Sequence, residues 1–143
     1  MYTKLHLIRY MNTQLTRIQT RGGTYYQPMF FAYHNEDEAY KNLQNNVLLG
    51  PALKLGVMST ATGVNTTNYF FPAGRWCEVI NCHKGVDCCF TQADSGQKEW
   101  PAFAYDYALH LIEGNIIPMQ DATTISGYKN KTGNYTQLTT TAL

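Results

Sequence analysis

Charged residues are scarce in this chain. They make up 15% of its 143 residues and nearly cancel, leaving a net charge of +1, whereas soluble domains carry about a quarter of their residues charged. Recognition of nucleic acid or of an acidic membrane surface depends on clustered Lys and Arg side chains. We therefore expect neither nucleic acid nor a membrane surface among its partners.

A long apolar run is missing as well. No stretch approaches the roughly 18 apolar residues that a membrane-spanning helix needs, and residues 1–4 lead into an amphipathic pattern rather than the apolar core of a signal peptide. Against this stand four cysteines and three N-glycosylation sequons, at Asn65, Asn130 and Asn134. These features favour a secretory compartment, secreted or lysosomal, and a longer precursor would explain the missing signal.

Motifs that bind metals or phosphates are also lacking. The chain has no CxxC pair. Its Gly22-Gly23 pair follows a predicted helix, whereas a phosphate-binding glycine loop precedes one. We expect no cofactor, no metal ion and no catalytic residue of its own.

The four cysteines lie close together, at Cys77, Cys82, Cys88 and Cys89. A turn near His83 would place Cys82 opposite Cys88, and that disulfide is our first prediction. Cys77 and Cys89 would then pair with each other, or one of them would remain a thiol. A zinc site that uses His83 is the weaker alternative, because its spacing fits no zinc motif.

The N-terminal third predicts a helix followed by a buried strand. Residues 5–20 carry apolar side chains at gaps of three and four, and Gly22 stands where such a helix would end. Residues 24–33 are dense in apolar and aromatic side chains and do not alternate between polar and apolar. That pattern is typical of a strand buried on both faces of a parallel sheet.

A second helix is predicted after this strand. Asn35 suits an N-cap, and the acidic residues 36–38 suit the first turn of a helix that runs to about Asn45. A lone helix–strand–helix unit cannot form a parallel sheet, and its strand needs neighbours. We infer that the first 49 residues are the end of a larger domain.

From Gly50 onward, short apolar segments alternate with turn residues, which is typical of an antiparallel β-sandwich. The run at Pro72 and Gly74 predicts a β-hairpin corner. The predicted strands are, in chain order, residues 53–58, 68–71, 75–81, 87–91, 102–105, 107–112 and 116–118.

Several residues in this part are candidates for contact with a sugar or for positions in a loop. Trp76 and Trp100 offer rings that could stack on a sugar, although packing in the sandwich core is the favoured role. Asp94 and Glu99 lie in a polar stretch predicted to be a loop. The polar tail beyond residue 121 is predicted to be extended or weakly ordered.

Three segments carry a family resemblance. Residues 46–53 have the sequence NVLLGPAL, residues 69–76 YFFPAGRW and residues 110–120 HLIEGNIIPMQ. In this order they resemble the patterns Q-F-L-L-G-P-x-L-L-V-x-P-V, Y-F-P-x-G-x-W-Y-D and H-V-R-A-G-x-I-I-P-L-Q of glycoside hydrolase family 31, the α-glucosidase family. Upstream, residues 8–10 and 27–30 stand where the family has L-R-Y and R-P-L-F.

The resemblance implies a mainly β architecture in three parts. Residues 1–49 would be the last helix–strand–helix of a (β/α)8 barrel. Residues 50–122 would form the proximal C-terminal β-sandwich, an antiparallel fold. Residues 123–143 would be a polar extended tail that leads toward a distal domain.

The resemblance also implies a non-catalytic role. The family's two catalytic aspartates come from barrel strands upstream, so neither is carried over to a residue here. Gln27, Asn115 and Cys77 depart from the family's arginine, small residue and aromatic residue.

We therefore expect the C-terminal portion of an α-glucosidase-like hydrolase, inactive alone. Its partner would be the remainder of a (β/α)8 barrel, in the same precursor or in a partner chain. The alternative is a stand-alone secreted β-sandwich subunit that acts in assembly or carbohydrate binding without enzymatic activity.

Overall fold

In the computed structural model of this chain, the described residues are 2–41, 43–57, 66–80, 88–101, 107–120 and 138–142. Their helices are α1 (Tyr2–His6), α2 (Ile8–Arg21) and α3 (Met29–Ala32), with 3-10 turns at Asp37–Tyr40 and Leu43–Asn45. Their strands are β1 (Tyr26–Pro28), β2 (Asn46–Leu49), β3 (Leu53–Val57), β4 (Thr66–Phe71), β5 (Gly74–Glu78), β6 (Cys89–Gln92), β7 (Gly96–Pro101), β8 (Tyr107–Ile112), β9 (Ile116–Gln120) and β10 (Leu138–Ala142).

The chain divides into two compact units. One combines α1 and α2 with β9 and β10, and the other holds the elements between Thr24 and Asn115. In the first unit, α2 ends at Gly22, whose positive φ of 77° suits glycine and whose N–H donates to the Ile18 carbonyl. The helix predicted over residues 5–20 is confirmed from Ile8 onward, while residues 5 and 6 belong to α1. β10 pairs antiparallel with β9, and its threonine-rich sequence suits a strand.

The second unit is built from two antiparallel sheets. One has six strands in the order β1-β2-β3-β8-β5-β6, and the other pairs β4 with β7. The sheets meet in an aromatic core, where Tyr69 and Phe71 of β4 pack with Trp76 of β5 and Ala108 of β8. The mainly β, antiparallel sandwich expected from the sequence is therefore confirmed.

The corner at Pro72 joins the two sheets and is not a hairpin. β4 pairs with β7, whereas β5 pairs with β6 and β8. The chain crosses between sheets through Gly74, whose φ of 133° strains any residue with a side chain. The indole N–H of Trp76 donates to the Pro72 carbonyl at 2.9 Å and so closes the corner. The predicted hairpin is wrong, because the two apolar arms face each other across the core.

The prediction of a buried strand within residues 24–33 is wrong too. β1 covers only Tyr26–Pro28 and is an edge strand, antiparallel to β2. Pro28 has no N–H for a further ladder bond and directly precedes α3. The continuous apolar run therefore divides between an edge strand and a short helix, and the predicted barrel unit is not reproduced.

The predicted helix from Asn35 to Asn45 is replaced by the two 3-10 turns. The residue before the first turn is Glu36 in extended backbone, and it makes no side-chain cap hydrogen bond. β1 and β2, which precede the expected boundary at residue 49, pair in one sheet with β3, which follows it.

Most of the predicted sandwich strands are present within a few residues. β3, β4, β5, β6, β8 and β9 match six of the predicted segments. The segment at residues 102–105 lies outside the described residues. β7 was expected to be a loop, but Gly96, Lys98 and Trp100 alternate with more exposed residues along a strand.

Candidate functional site

Three ionisable side chains lie side by side on the inner face of the six-stranded sheet. Lys54 of β3 is the register partner of His110 of β8, and His110 is the register partner of Glu78 of β5. Direct partners in an antiparallel ladder project to the same face. We call these three side chains the Lys–His–Glu row.

The row is buried in the sandwich. Lys54 and His110 are 0% exposed and Glu78 is 9% exposed. Neither Lys54 Nζ nor either ring nitrogen of His110 has a hydrogen-bond partner among the described residues. A buried donor without a partner destabilises a fold by roughly 1–3 kcal/mol, so the row opposes the packing around it.

Aromatic rings surround the two bases. Lys54 Nζ lies 4.2 Å from the centroid of the Phe71 ring and 4.9 Å from that of Tyr69, within the range of a cation–π interaction. The His110 ring meets Trp100 and Phe71 edge to face, with centroids 4.5 Å and 4.8 Å away. These contacts offset only part of the desolvation of an ammonium group.

Burial shifts both bases toward their neutral forms. It lowers the pKa of Lys54 from 10.5 to about 7. Burial also lowers the pKa of His110 well below 6.5, and the nearby charge of Lys54 adds to that effect. Because neither side chain reaches solvent, the row has no surface on which to bind a substrate, and its chemistry concerns the stability of the fold.

A second feature is the exposed apolar segment, which we define as residues 26–43. Its four exposed large side chains are Tyr26 (62%), Phe31 (55%), Tyr40 (50%) and Leu43 (40%). The Phe30 ring stacks on Tyr40 with centroids 5.2 Å apart, and the Tyr40 hydroxyl donates to a backbone carbonyl at 3.1 Å. These side chains are thus held in place while still facing solvent.

Two of the acidic residues that sequence analysis placed in the first turn of a helix instead hold this segment to the β6–β7 turn and to β7. The Glu36 carboxylate accepts a hydrogen bond from the Ser95 hydroxyl at 3.0 Å, and Glu38 accepts one from the Gln97 amide at 3.1 Å. Glu38 also pairs with Lys41. These hydrogen bonds, that from Lys41 first and that from Gln97 second, lower the pKa of Glu38.

The structure describes some of the predicted site residues. Cys77 and Cys89, register partners on β5 and β6, form a disulfide, one of the pairings that the sequence left open. The predicted Cys82–Cys88 disulfide stays a prediction, because Cys82 lies outside the described residues. So do the zinc alternative at His83 and the sequons at Asn65, Asn130 and Asn134.

The two tryptophans belong to the aromatic core. Trp76 is fully buried, and half-buried Trp100 packs against Phe71 and Phe90. For Trp100, stacking on a sugar stays a prediction. Among the described residues, no group of three His, Cys, Asp or Glu side chains could hold a metal ion, and no helix is long and apolar enough to span a membrane.

Sequence analysis missed the Lys–His–Glu row. Lys54 carried a signal, since the family pattern quoted for residues 46–53 continues with a leucine at this position. Only the strand register shows that the two bases meet.

Comparisons with known proteins agree on one family. Residues 22–117 match the family described as "Glycosyl hydrolase family 31 C-terminal domain". A probable alpha-glucosidase of Oryza sativa subsp. japonica is 27% identical over 118 residues, covering 82% of this chain and 12% of its own length. An alpha-glucosidase of Hordeum vulgare is 24% identical over 129 residues, covering 90% of this chain and 14% of its own.

Solved structures share the fold. A GH31 alpha-xylosidase of Xanthomonas citri superposes with a TM-score of 0.74 at 18% identity, covering 97% of this chain and 14% of that one. A GH31 dextranase of Flavobacterium johnsoniae gives a TM-score of 0.69 at 21% identity, covering 82% and 14%. The chain therefore spans about one seventh or less of the length of these relatives.

Proposed function

Because this chain belongs to glycosyl hydrolase family 31, matching its C-terminal domain over residues 22–117, we propose that it is the non-catalytic C-terminal portion of an α-glucosidase-like hydrolase. It packs against a (β/α)8 barrel that cleaves the α-glucosidic bond, and it stabilises that barrel. One observation carries this proposal. Of the eight large apolar side chains exposed in the described structure, four lie in the exposed apolar segment of the second unit: Tyr26, Phe31, Tyr40 and Leu43.

These four exposed side chains lie close together in the sequence. Scattered apolar residues on a surface are normal, whereas a concentration of them marks a surface that is covered in the working protein. Fully burying one such side chain contributes about 1.5–3 kcal/mol. Covering the exposed apolar segment would thus give several kcal/mol of binding energy before the loss of rotational and translational freedom is counted.

The edge strand β1 is a second feature that supports packing against the barrel. It begins the exposed apolar segment and pairs on one side only, with β2, in the described six-stranded sheet. An open strand edge is an aggregation hazard unless another element covers it. The relatives, which are seven to eight times longer than the part that matches, have ample chain to supply such an element.

The test is the association state of the purified 143-residue chain as its concentration rises. We expect it to self-associate and to bind a hydrophobic dye, because the four large apolar side chains of the segment are exposed. The double variant Phe31→Ser/Tyr40→Ser should shift it toward the monomer. The matched control Tyr107→Ser removes an aromatic side chain that is 39% exposed on β8, outside the segment, and should change little. A wild-type chain that stays monomeric and binds no dye at high concentration would overturn the proposal.

A further inference from the structure

We propose that the Lys–His–Glu row makes this sandwich domain pH-responsive, so that it is most stable while Lys54 and His110 are uncharged and acidification destabilises it by protonating them. This inference does not depend on the proposed function. It concerns two buried bases that neither the disulfide nor the exposed apolar segment explains.

The geometry explains why protonation of either base is unfavourable in the folded state. Both side chains are fully buried, and none of their three nitrogens has a hydrogen-bond partner among the described residues. Glu78 lies two strands from Lys54 in the sheet order β3-β8-β5, about 10 Å away at the usual strand spacing. A proton on Lys54 would therefore be stabilised mainly by the Phe71 and Tyr69 rings.

The strands packed around the row add little to neutralise such a charge. Glu78 belongs to the row and is the direct neighbour of His110. Two further titratable side chains face the row, Tyr69 on β4 and Lys98 on β7. Burial raises the pKa of Tyr69, which keeps its phenol neutral, and Lys98 is itself cationic, with Nζ 4.7 Å from the Phe90 ring. β2 and β6 face the row with Leu48 and Phe90, which are apolar.

The pH dependence follows from the direction of each pKa shift. In the folded state Lys54 loses its proton near pH 7, whereas the unfolded chain keeps it to about 10.5. Lys54 therefore costs no stability above pH 10.5. Its cost to the free energy of unfolding grows as the pH falls toward 7 and grows no further below that. His110 adds a second loss, which begins near pH 6.5 and continues to its lower folded pKa.

The pH dependence of the row affects the compartment in which the domain is most stable. Most of the loss through Lys54 has occurred by neutral pH, so an acidic compartment would add the loss that comes from protonating His110 inside an apolar core. Among secretory compartments, the row favours a neutral one over the acidic lysosome.

The test is urea unfolding of the full chain between pH 5 and pH 10, at protein concentrations low enough to keep it monomeric. For the wild type, the unfolding equilibrium constant should fall about tenfold per pH unit between pH 7 and pH 10, the slope of one proton. Lys54→Met replaces the amine with an apolar side chain of similar length. It should abolish that slope and raise the urea midpoint at pH 7. Lys98→Met makes the same change on a half-buried lysine and should keep the wild-type slope.

Equal slopes in the wild type and in Lys54→Met would overturn the proposal, as would a wild-type midpoint that does not change with pH. If the transition is not cooperative, amide hydrogen exchange decides instead. The protection of β3 and β8 in Lys54→Met relative to wild type should be larger at pH 7 than at pH 10, and a constant ratio would contradict the proposal. Self-association bears on the proposed function alone, so the two ideas can fail separately.

Discussion

The backbone of Gly56 lies directly against the ring of Tyr69. A β-carbon added at Gly56 would be 2.9 Å from Cζ of that ring and 3.0 Å from both neighbouring ring carbons. Since Gly56 is on β3 and Tyr69 on β4, this contact joins the two sheets of the sandwich. Glycine is required here by close packing and not by a positive φ.

We predict that Gly56→Ala destabilises the fold by about 1–3 kcal/mol, because a fully buried ring must move to admit the methyl group. Gly96→Ala is the matched control in the second sheet. There the nearest atom to an added β-carbon is Gln92 Nε2 at 3.7 Å, an ordinary contact, so the change in the free energy of unfolding should stay within about 0.5 kcal/mol. Urea unfolding measures both, and equal effects would contradict the packing argument.

Trp76→Phe tests the corner between the sheets. The substitution leaves an aromatic ring in the core but removes the N–H that donates to the Pro72 carbonyl. Losing that donor leaves a buried carbonyl unpaired, and we expect a loss of about 1–3 kcal/mol in the free energy of unfolding. Trp100→Phe is the comparison, because that ring is only half-buried, and its effect should be smaller. A larger loss at Trp100 than at Trp76 would show that the corner bond contributes little.

The disulfide between Cys77 and Cys89 should stabilise the chain by restricting its unfolded state. The two residues are separated by 12 positions, and a loop of that size corresponds to about 3 kcal/mol. A reducing agent should therefore lower the melting temperature of the wild type. It should lower the melting temperature of Cys77→Ala/Cys89→Ala by less, because that variant has already lost this disulfide. A wild-type melting temperature that does not change when the reductant is added would contradict this.

The sequence predicts those parts of the fold that depend on the residues within a single strand. Short apolar segments bounded by turn residues located β3 and β8 almost to the residue, and both strands bury side chains on both faces of the sheet. β7 was missed since its middle residues, Gln97, Lys98 and Glu99, are polar. Its inward face depends on Trp100 and on the aliphatic part of Lys98.

Other features depend on which strands pair, and composition does not reveal this. The segment from Tyr69 to Trp76 has the sequence of a hairpin and forms a crossing between sheets, because its two arms find different partners. The apolar run before His34 suggested a central strand, but Pro28 ends β1 at a sheet edge. Lys54 and His110 are 56 positions apart, and only the β3–β8 register brings them together.

The central claim is that these residues work as one part of a larger hydrolase, and the intact mass of the native protein tests it most directly. The 143-residue chain alone has a mass of 16.2 kDa. We predict that material isolated from its natural source has a mass several times larger, or co-purifies with a chain that carries the barrel, and that it hydrolyses an α-glucoside. A native protein of 16.2 kDa that is soluble and monomeric without a barrel-bearing partner would contradict the account.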